Sequence, residues 1–390
     1  MSRAISKKAL LFIVYITSLL YSFSYALPLF VNSTYITKIL STEKTIGIIY
    51  AISAVGLLLM TLSLPRILKR FGAYRTTRVI IILEILALIM MGAFTNPFFV
   101  IIAFILHQVF SVTIYLNLSA FLETFSENAT TGSIRGVFLT VVNSAYVIAP
   151  FLAGMMLTNG DFEKIYITAA AFMIAVYILV STNFKSYEDP EYNVLNLKKT
   201  ILQIFGNHDL HAIISLQFLL NFFYAWMVVY TPIYLHTHMN IPMSELLGFI
   251  MPIALMPFVI LQSYLGKIAD TKFGEQEIMI AGIVIISISC ISLTFITTSS
   301  IIVWAFALFM TRVGASAIEV MSESYFYKQI GPQDMHLISF TQVIRSITYF
   351  VAPLLGTLIL FFVDFRFIFL ILGLIMLIGI PLSFHFKDSR

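Results

Sequence analysis

Three ionisable residues inside one long apolar run are the chemistry this chain displays most openly. Arg312, Glu319 and Glu323 lie seven and four residues apart within residues 300–325, a spacing that sets all three on one face of a helix. A carboxylate beside a guanidinium in an apolar medium can do either of two things. It can take up and release a proton as its partner moves, or it can sit in a fixed salt bridge. Arg345, in the next apolar run, differs from Glu319 in depth by only about 5 Å at 1.5 Å per residue. Glu319 can therefore pair with Arg345, with Arg312, or with each in turn. In the first reading Glu319 is the proton-coupling group, the coupling ion is H+, and Arg312 meets an anionic or polar solute.

Other polar groups recur at helical spacing in further apolar runs. Tyr21, Ser22 and Tyr25 form one such stripe, His107, Ser111 and Tyr115 a second, and Gln217, Asn221 and Tyr224 a third. Asn143 and Gln342 add hydrogen-bonding groups from two more runs. Stripes of this kind suit the wall of a cavity that admits a small-molecule solute, while the aromatic residues in them serve packing equally well. Glu84 stands midway along its own run, with no partner evident in the sequence. His236 and His238 make a poor metal site by themselves and read as surface residues. No metal or cofactor is expected.

The elements that carry these residues are set by composition. The chain is 59% hydrophobic and 11% charged, where a soluble domain carries about 25% charged residues. A core of 390 residues could not bury that much apolar surface, so the solvent for most of the chain is the lipid bilayer. A net charge of +4 without an arginine-rich strip excludes nucleic acid as a partner. Cys290 is the one cysteine and can form no intrachain disulfide.

A helix that crosses the hydrocarbon needs about 20 apolar residues. Twelve runs of that size are present, near 9–31, 44–65, 76–93, 97–122, 136–158, 164–183, 209–235, 244–265, 277–297, 300–325, 336–361 and 366–385. Lysine and arginine are retained on the cytoplasmic side. With both termini inside, the inner segments hold Arg66, Lys69, Arg70, Arg75, Arg78, Arg135, Lys267 and Lys272 among others, and the outer ones only Lys38, Lys44, Lys164 and Arg366.

The runs also repeat. Pro28 recurs as Pro232, Gly47 as Gly248, Gly72 as Gly274, Glu123 as Glu323, and YVIAPFL at Tyr146 as YFVAPLL at Tyr349, all at offsets of 200 to 204 residues. The expected fold is all-α and integral to the membrane: twelve transmembrane helices in two pseudo-symmetric six-helix bundles, 1–183 and 209–390. A cytoplasmic linker, 184–208, joins them and contains an amphipathic helix suited to the membrane surface.

The loop LGKIADTKFGE at 265–275 resembles the signature of the major facilitator superfamily, G-x-L-A-D-R-x-G-R-R, through Gly266, Ala269, Asp270 and Gly274, with one extra residue before the second glycine. The first-half copy, LPRILKRFG, departs from it: Pro65 and Lys69 replace the glycine and the aspartate, and only Arg70 and Gly72 survive. Small residues in the fifth and eleventh runs, Gly136, Ala145, Ala149, Pro150 and Ala153 with Ser339, Thr348, Ala352, Pro353 and Gly356, match the spacing of the antiporter signature of that family. They also serve simply for close helix packing.

The resemblance implies secondary transport of a small solute by alternating access in a multi-pass protein of the plasma or inner membrane, acting as a monomer. It implies a site near the bilayer midplane lined by the first, fourth, seventh and tenth spans. Tyr25, His107, Ser111, Tyr115, Asn143, Asn221, Tyr224, Arg312, Gln342 and Arg345 are then the substrate-binding candidates. Arg70, Gly72, Glu123, Arg135, Gly266, Asp270, Gly274 and Glu323 form the cytoplasmic gate. No Walker loop and no H-E-x-x-H or Cys/His cluster is present, so neither ATP-driven transport nor an enzyme is indicated. A transporter-like sensor or scaffold that binds without moving its ligand is the alternative.

Overall fold

The structure is a computed structural model that describes residues 7–43, 45–125, 131–157, 161–185, 187, 189, 196–262, 264, 265, 268, 274–329 and 335–385. Within these, the side chains of 7, 8, 123–125, 131–137, 139, 327, 335, 336, 338 and 339 also fall outside the description.

The described residues form helices and connecting turns. In chain order the helices are α1 (Lys7–Leu29), α2 (Asn32–Leu40), α3 (Ile46–Phe71), α4 (Ala73–Ala93), α5 (Pro97–Phe125), α6 (Thr131–Met156), α7 (Phe162–Asn183), α8 (Leu197–Gly206) and α9 (His208–Ile233). They continue as α10 (Met251–Ile260), α11 (Glu275–Leu293), α12 (Ile301–Gln329), α13 (Met335–Ile359), α14 (Phe367–Met376) and α15 (Gly379–Ser383). Wide π turns at Tyr234–His238 and Leu246–Ile250 extend α9 and lead into α10.

Ten of the described helical segments are long and apolar enough to cross a membrane. Two further stretches, Thr140–Met156 and Phe367–Ser383, are apolar but shorter, and they fall where the fifth and twelfth runs were expected. The first lies within α6, Thr131–Met156, and the second runs across the turn between α14 and α15. Much of the surface is itself apolar: Phe306 and Ile302 are 65% and 72% exposed while Glu84, His107 and Arg312 are buried. That inversion is what a lipid solvent selects, since polar groups there must find partners inside the protein.

The chain separates into two compact units. One comprises Met1–Ser41 with Ile52–Val194, the other Thr42–Ala51 with Leu195–Arg390. In the first, α1 packs on α5, α6 and α7, and α4 packs on α5 and α7. Hydrogen bonds pin these contacts: Ser24 Oγ donates to the Ala169 carbonyl (2.8 Å), Tyr35 to that of Met91 (2.7 Å), and Tyr166 to Asn32 Oδ1 (2.9 Å). Gly72 turns α3 into α4 with φ of 79°, a conformation that favours glycine. The carboxylate of Asp189, from beyond α7, accepts the Ala73 N–H at 2.7 Å and so caps α4.

In the second unit α11 crosses α12, with Gly282 and Gly314 at the contact, and α11 also packs on α14. A Cβ on Gly314 would lie 2.5 Å from the Gly282 carbonyl oxygen and 2.6 Å from the Ile286 nitrogen. Backbone therefore meets backbone at this crossing, as small residues allow between helices in lipid. On α9, Tyr230 donates to the Pro353 carbonyl, and Thr357 Oγ1 accepts the Gly47 N–H at 3.0 Å. The buried indole of Trp304 donates to the Thr298 carbonyl (2.9 Å), closing the turn before α12.

Candidate functional site

Two polar clusters lie within the helices, one in each unit. In the first, the four-residue spacing of His107, Ser111 and Tyr115 puts them on one face of α5, opposite Tyr21 and Tyr25 of α1. Tyr21 donates to the Ser111 carbonyl (2.7 Å), and the Ser111 hydroxyl donates back to the His107 carbonyl (2.6 Å). Ring centroids are 6.3 Å apart for Tyr21 with Tyr25, 6.3 Å for Tyr21 with Tyr115, and 6.4 Å for Tyr25 with His107. Tyr146 of α6 meets Tyr25 edge-on at 6.0 Å, and Phe138 packs beside Tyr115 at 6.2 Å. Asn143, one turn before Tyr146, is exposed.

Glu84 has a partner, and it is His107. Oε1 lies 2.6 Å from Nδ1, with the two side chains 1% and 0% exposed. The remaining atoms of the pair, Glu84 Oε2 and His107 Nε2, are buried without a hydrogen-bond partner among the described residues.

The second cluster surrounds α12. Arg312 is 3% exposed; its Nη1 donates to Thr311 Oγ1 (2.9 Å), and its guanidinium lies over the Phe223 ring, 5.0 Å from the centroid. Among the described residues no carboxylate forms an ion pair with it. Tyr224 and the buried thiol of Cys290 are its polar neighbours. A cation desolvated this far without a counter-ion carries a cost of several kcal/mol that neither the cation–π contact nor one hydroxyl removes.

Seven residues on, half-buried Glu319 accepts a hydrogen bond from Gln262 Nε2 at 2.8 Å. Arg345 is the cation whose field reaches Glu319, and Glu323 is the like charge beside it. The structure thus separates the two arginines: Arg345 acts on Glu319, while Arg312 stands apart among aromatic and neutral groups. Tyr224 lies within reach of Arg312, Glu319 and Glu323 and packs edge-on against Phe258 at 6.0 Å. Asn221 donates its amide to the Gln217 carbonyl of its own helix (2.8 Å). Gln342 is half-buried, and both Arg345 and Glu323 are exposed.

Of the gate residues, Arg70 is exposed with its guanidinium over the neighbouring Phe71 ring. Gly274 caps α11, its N–H donating to Glu277 Oε2 at 3.1 Å. Gly266 and Asp270 lie outside the described residues. Glu123 and Arg135 belong to α5 and α6, but their side chains are likewise not described. His236 Nδ1 contacts the Ile241 carbonyl (3.1 Å), and His238 pairs with Glu43 at 3.1 Å. No group of three or more His, Cys, Asp or Glu able to hold a metal occurs among the described residues.

Sequence reasoning missed Gln262, Tyr146, Asp189 and the ion pair between buried Glu275 and Lys328. Two of these carried a signal. Gln262 is a lone amide near the end of the eighth apolar run, and Tyr146 heads the repeated YVIAPFL string. Asp189 and Glu275 lie in polar sequence, where nothing distinguishes them from other surface acids.

Comparison with curated protein sequences returns no match. Among solved structures, that of the nucleoside transporter NupG superposes with a TM-score of 0.76 at 12% sequence identity, over 97% of this chain and 100% of that one. A point mutant of the same transporter gives the same values. The likeness is one of fold, and it spans nearly the whole chain. The family model of the Major Facilitator Superfamily matches residues 14–335 and 256–390. The chain therefore belongs to the Major Facilitator Superfamily and is a multi-pass membrane transporter.

Proposed function

We propose that this chain is a proton-coupled secondary transporter of a small anionic or strongly polar solute, working by alternating access. Its spans number twelve, in two six-helix bundles, with both termini cytoplasmic in the plasma or inner membrane. The observation that carries the proposal is Arg312. Its guanidinium is buried at mid-helix without a carboxylate partner among the described residues. A carboxylate, phosphate or carbonyl group of a bound solute supplies the missing acceptor, and the aromatic neighbours Phe223 and Tyr224 offer it an apolar wall.

Glu319 carries the coupled proton. Its hydrogen-bond donor Gln262 is neutral, and the cation near it, Arg345, is exposed. The carboxyl group can therefore be protonated or ionised without breaking a buried ion pair.

The test is a thermal-shift screen of the purified chain across nucleosides, sugars, amino acids, organic anions and cationic drugs. Nucleosides head the panel because a nucleoside transporter shares the fold. A solute at a hundredfold its Kd stabilises the protein by about 2.7 kcal/mol. The expected result is a stabilising solute bearing an acceptor group, whose effect is lost in Arg312→Ala and retained in Gly206→Ala, where an added Cβ meets nothing within 4 Å. Stabilisation that survives Arg312→Ala unchanged removes Arg312 from the site.

A further inference from the structure

The pair formed by Glu84 and His107 has no role in the function proposed above, and both of its side chains are buried. Glu84 lies eleven residues after Ala73, about 16 Å along α4, and His107 lies ten residues after Pro97, about 15 Å along α5. Both are therefore near the middle of hydrocarbon about 30 Å thick. Neither is accessible to water in this conformation.

Charge balance restricts what such a pair can hold. With one proton it is neutral overall, whether written as carboxyl and imidazole or as carboxylate and imidazolium. A second proton leaves a net positive charge in an apolar site, and removal of the only proton leaves a net negative one. Each costs several kcal/mol unless water or a counter-ion arrives.

Among the described residues no further charged group pairs with them. The titratable neighbours are phenols: Tyr21 of α1 near Glu84 and Tyr25 of α1 against His107, with Tyr115 of α5 beside Tyr21 and Tyr146 of α6 beside Tyr25. On α7, which packs against α4, the ionisable residues are Glu163 and Lys164 in the first turn, Tyr166, and Tyr177, whose hydroxyl accepts from Arg78 Nη2 at 2.8 Å. Arg78 itself lies six residues before Glu84, in the opening turns of α4. A purely structural ion pair in such a setting would be expected to bind its outer atoms too. Here Glu84 Oε2 and His107 Nε2 both lack a partner among the described residues.

We infer that Glu84 and His107 form a second proton site, in the first unit, that carries one proton and exchanges it with water through Glu84 Oε2 and His107 Nε2 when the conformation opens. The inference rests on the transporter reading for its purpose but not for its chemistry. Proton exchange at the pair can be observed without any solute and without Glu319.

The experiment is infrared difference spectroscopy of the full chain in lipid, with 15N-labelled histidine, titrated from about pH 5 to about pH 8. The expected result is one change, in a carboxyl band or in an imidazole band, that exchanges in D2O, is present in the unsubstituted chain and in Glu319→Gln, and is lost or displaced in both Glu84→Gln and His107→Gln. If either of those chains fails to fold, Glu84→Asp and His107→Asn displace the same band. Substituted chains of the pair that show every change of the unsubstituted chain overturn the inference. A titrating pair in a protein that moves no solute leaves the site standing and sinks the transport reading. Proton-driven flux with a silent pair does the reverse.

Discussion

The crossing of α11 and α12 positions both Arg312 and Glu319, because Gly314 sits between them on α12. Replacing Gly314 with alanine adds one methyl group. That methyl would lie 2.5 Å from the Gly282 carbonyl oxygen, 2.6 Å from the Ile286 nitrogen and 2.8 Å from the Ile286 Cβ. Two of those atoms are backbone, so no rotamer change relieves the overlap. Relief to ordinary contact near 3.5 Å requires the helices to part by about 1 Å. Overpacking of a dense interior costs roughly 1–3 kcal/mol, and a backbone clash belongs at the upper end. Gly206→Ala is the control, since a Cβ there meets nothing within 4 Å. Thermal unfolding in detergent, followed by the fluorescence of the buried Trp226 and Trp304, is the assay. Gly314→Ala should unfold several degrees lower and show weakened solute stabilisation, with Gly206→Ala close to the unsubstituted chain. Equal midpoints for the two variants would refute the close crossing and, with it, the placement of the Arg312 cluster.

Other contacts make further predictions. Asp189→Ala removes the acceptor for the Ala73 N–H and should cost about 1 kcal/mol, the usual value of a helix cap, read as a lower midpoint and faster proteolysis next to α7. Tyr35, in α2 outside the spans, has its hydroxyl pKa raised from 10.0 to about 12, by burial first and the Glu163 charge second. A phenol that holds its proton more tightly in the folded state contributes stability below about pH 10 and loses it as the pH rises through about 12. The stability difference between the unsubstituted chain and Tyr35→Phe should therefore shrink over that window. A difference that does not vary with pH there would contradict the burial of Tyr35.

Apolar periodicity made the spans legible where they are long. The fourth run was expected at 97–122 and falls within α5, Pro97–Phe125, and the seventh, expected at 209–235, is found as His208–His238. It gave no sign of the turn that interrupts the last run between α14 and α15. Spacing put His107, Ser111 and Tyr115 on one face of α5, because a face of one helix is a local property, whereas the approach of Tyr25 on α1 to His107 depends on how the two helices pack. Partners across helices were not legible. Glu84 and His107 are twenty-three residues apart on α4 and α5, and only the packing of those helices brings them to 2.6 Å. For the same reason the sequence left Arg312 and Arg345 equally eligible to pair with Glu319, and gave no reason to join Gln262 to it.

Proton-driven uptake in liposomes measures the coupling most directly. With the chain reconstituted and loaded with the stabilising solute, Glu319→Gln should retain solute exchange between the two sides at near the unsubstituted rate. It should lose accumulation against a gradient when a pH difference is imposed. Accumulation that persists undiminished in Glu319→Gln would contradict a coupled proton at that carboxyl group.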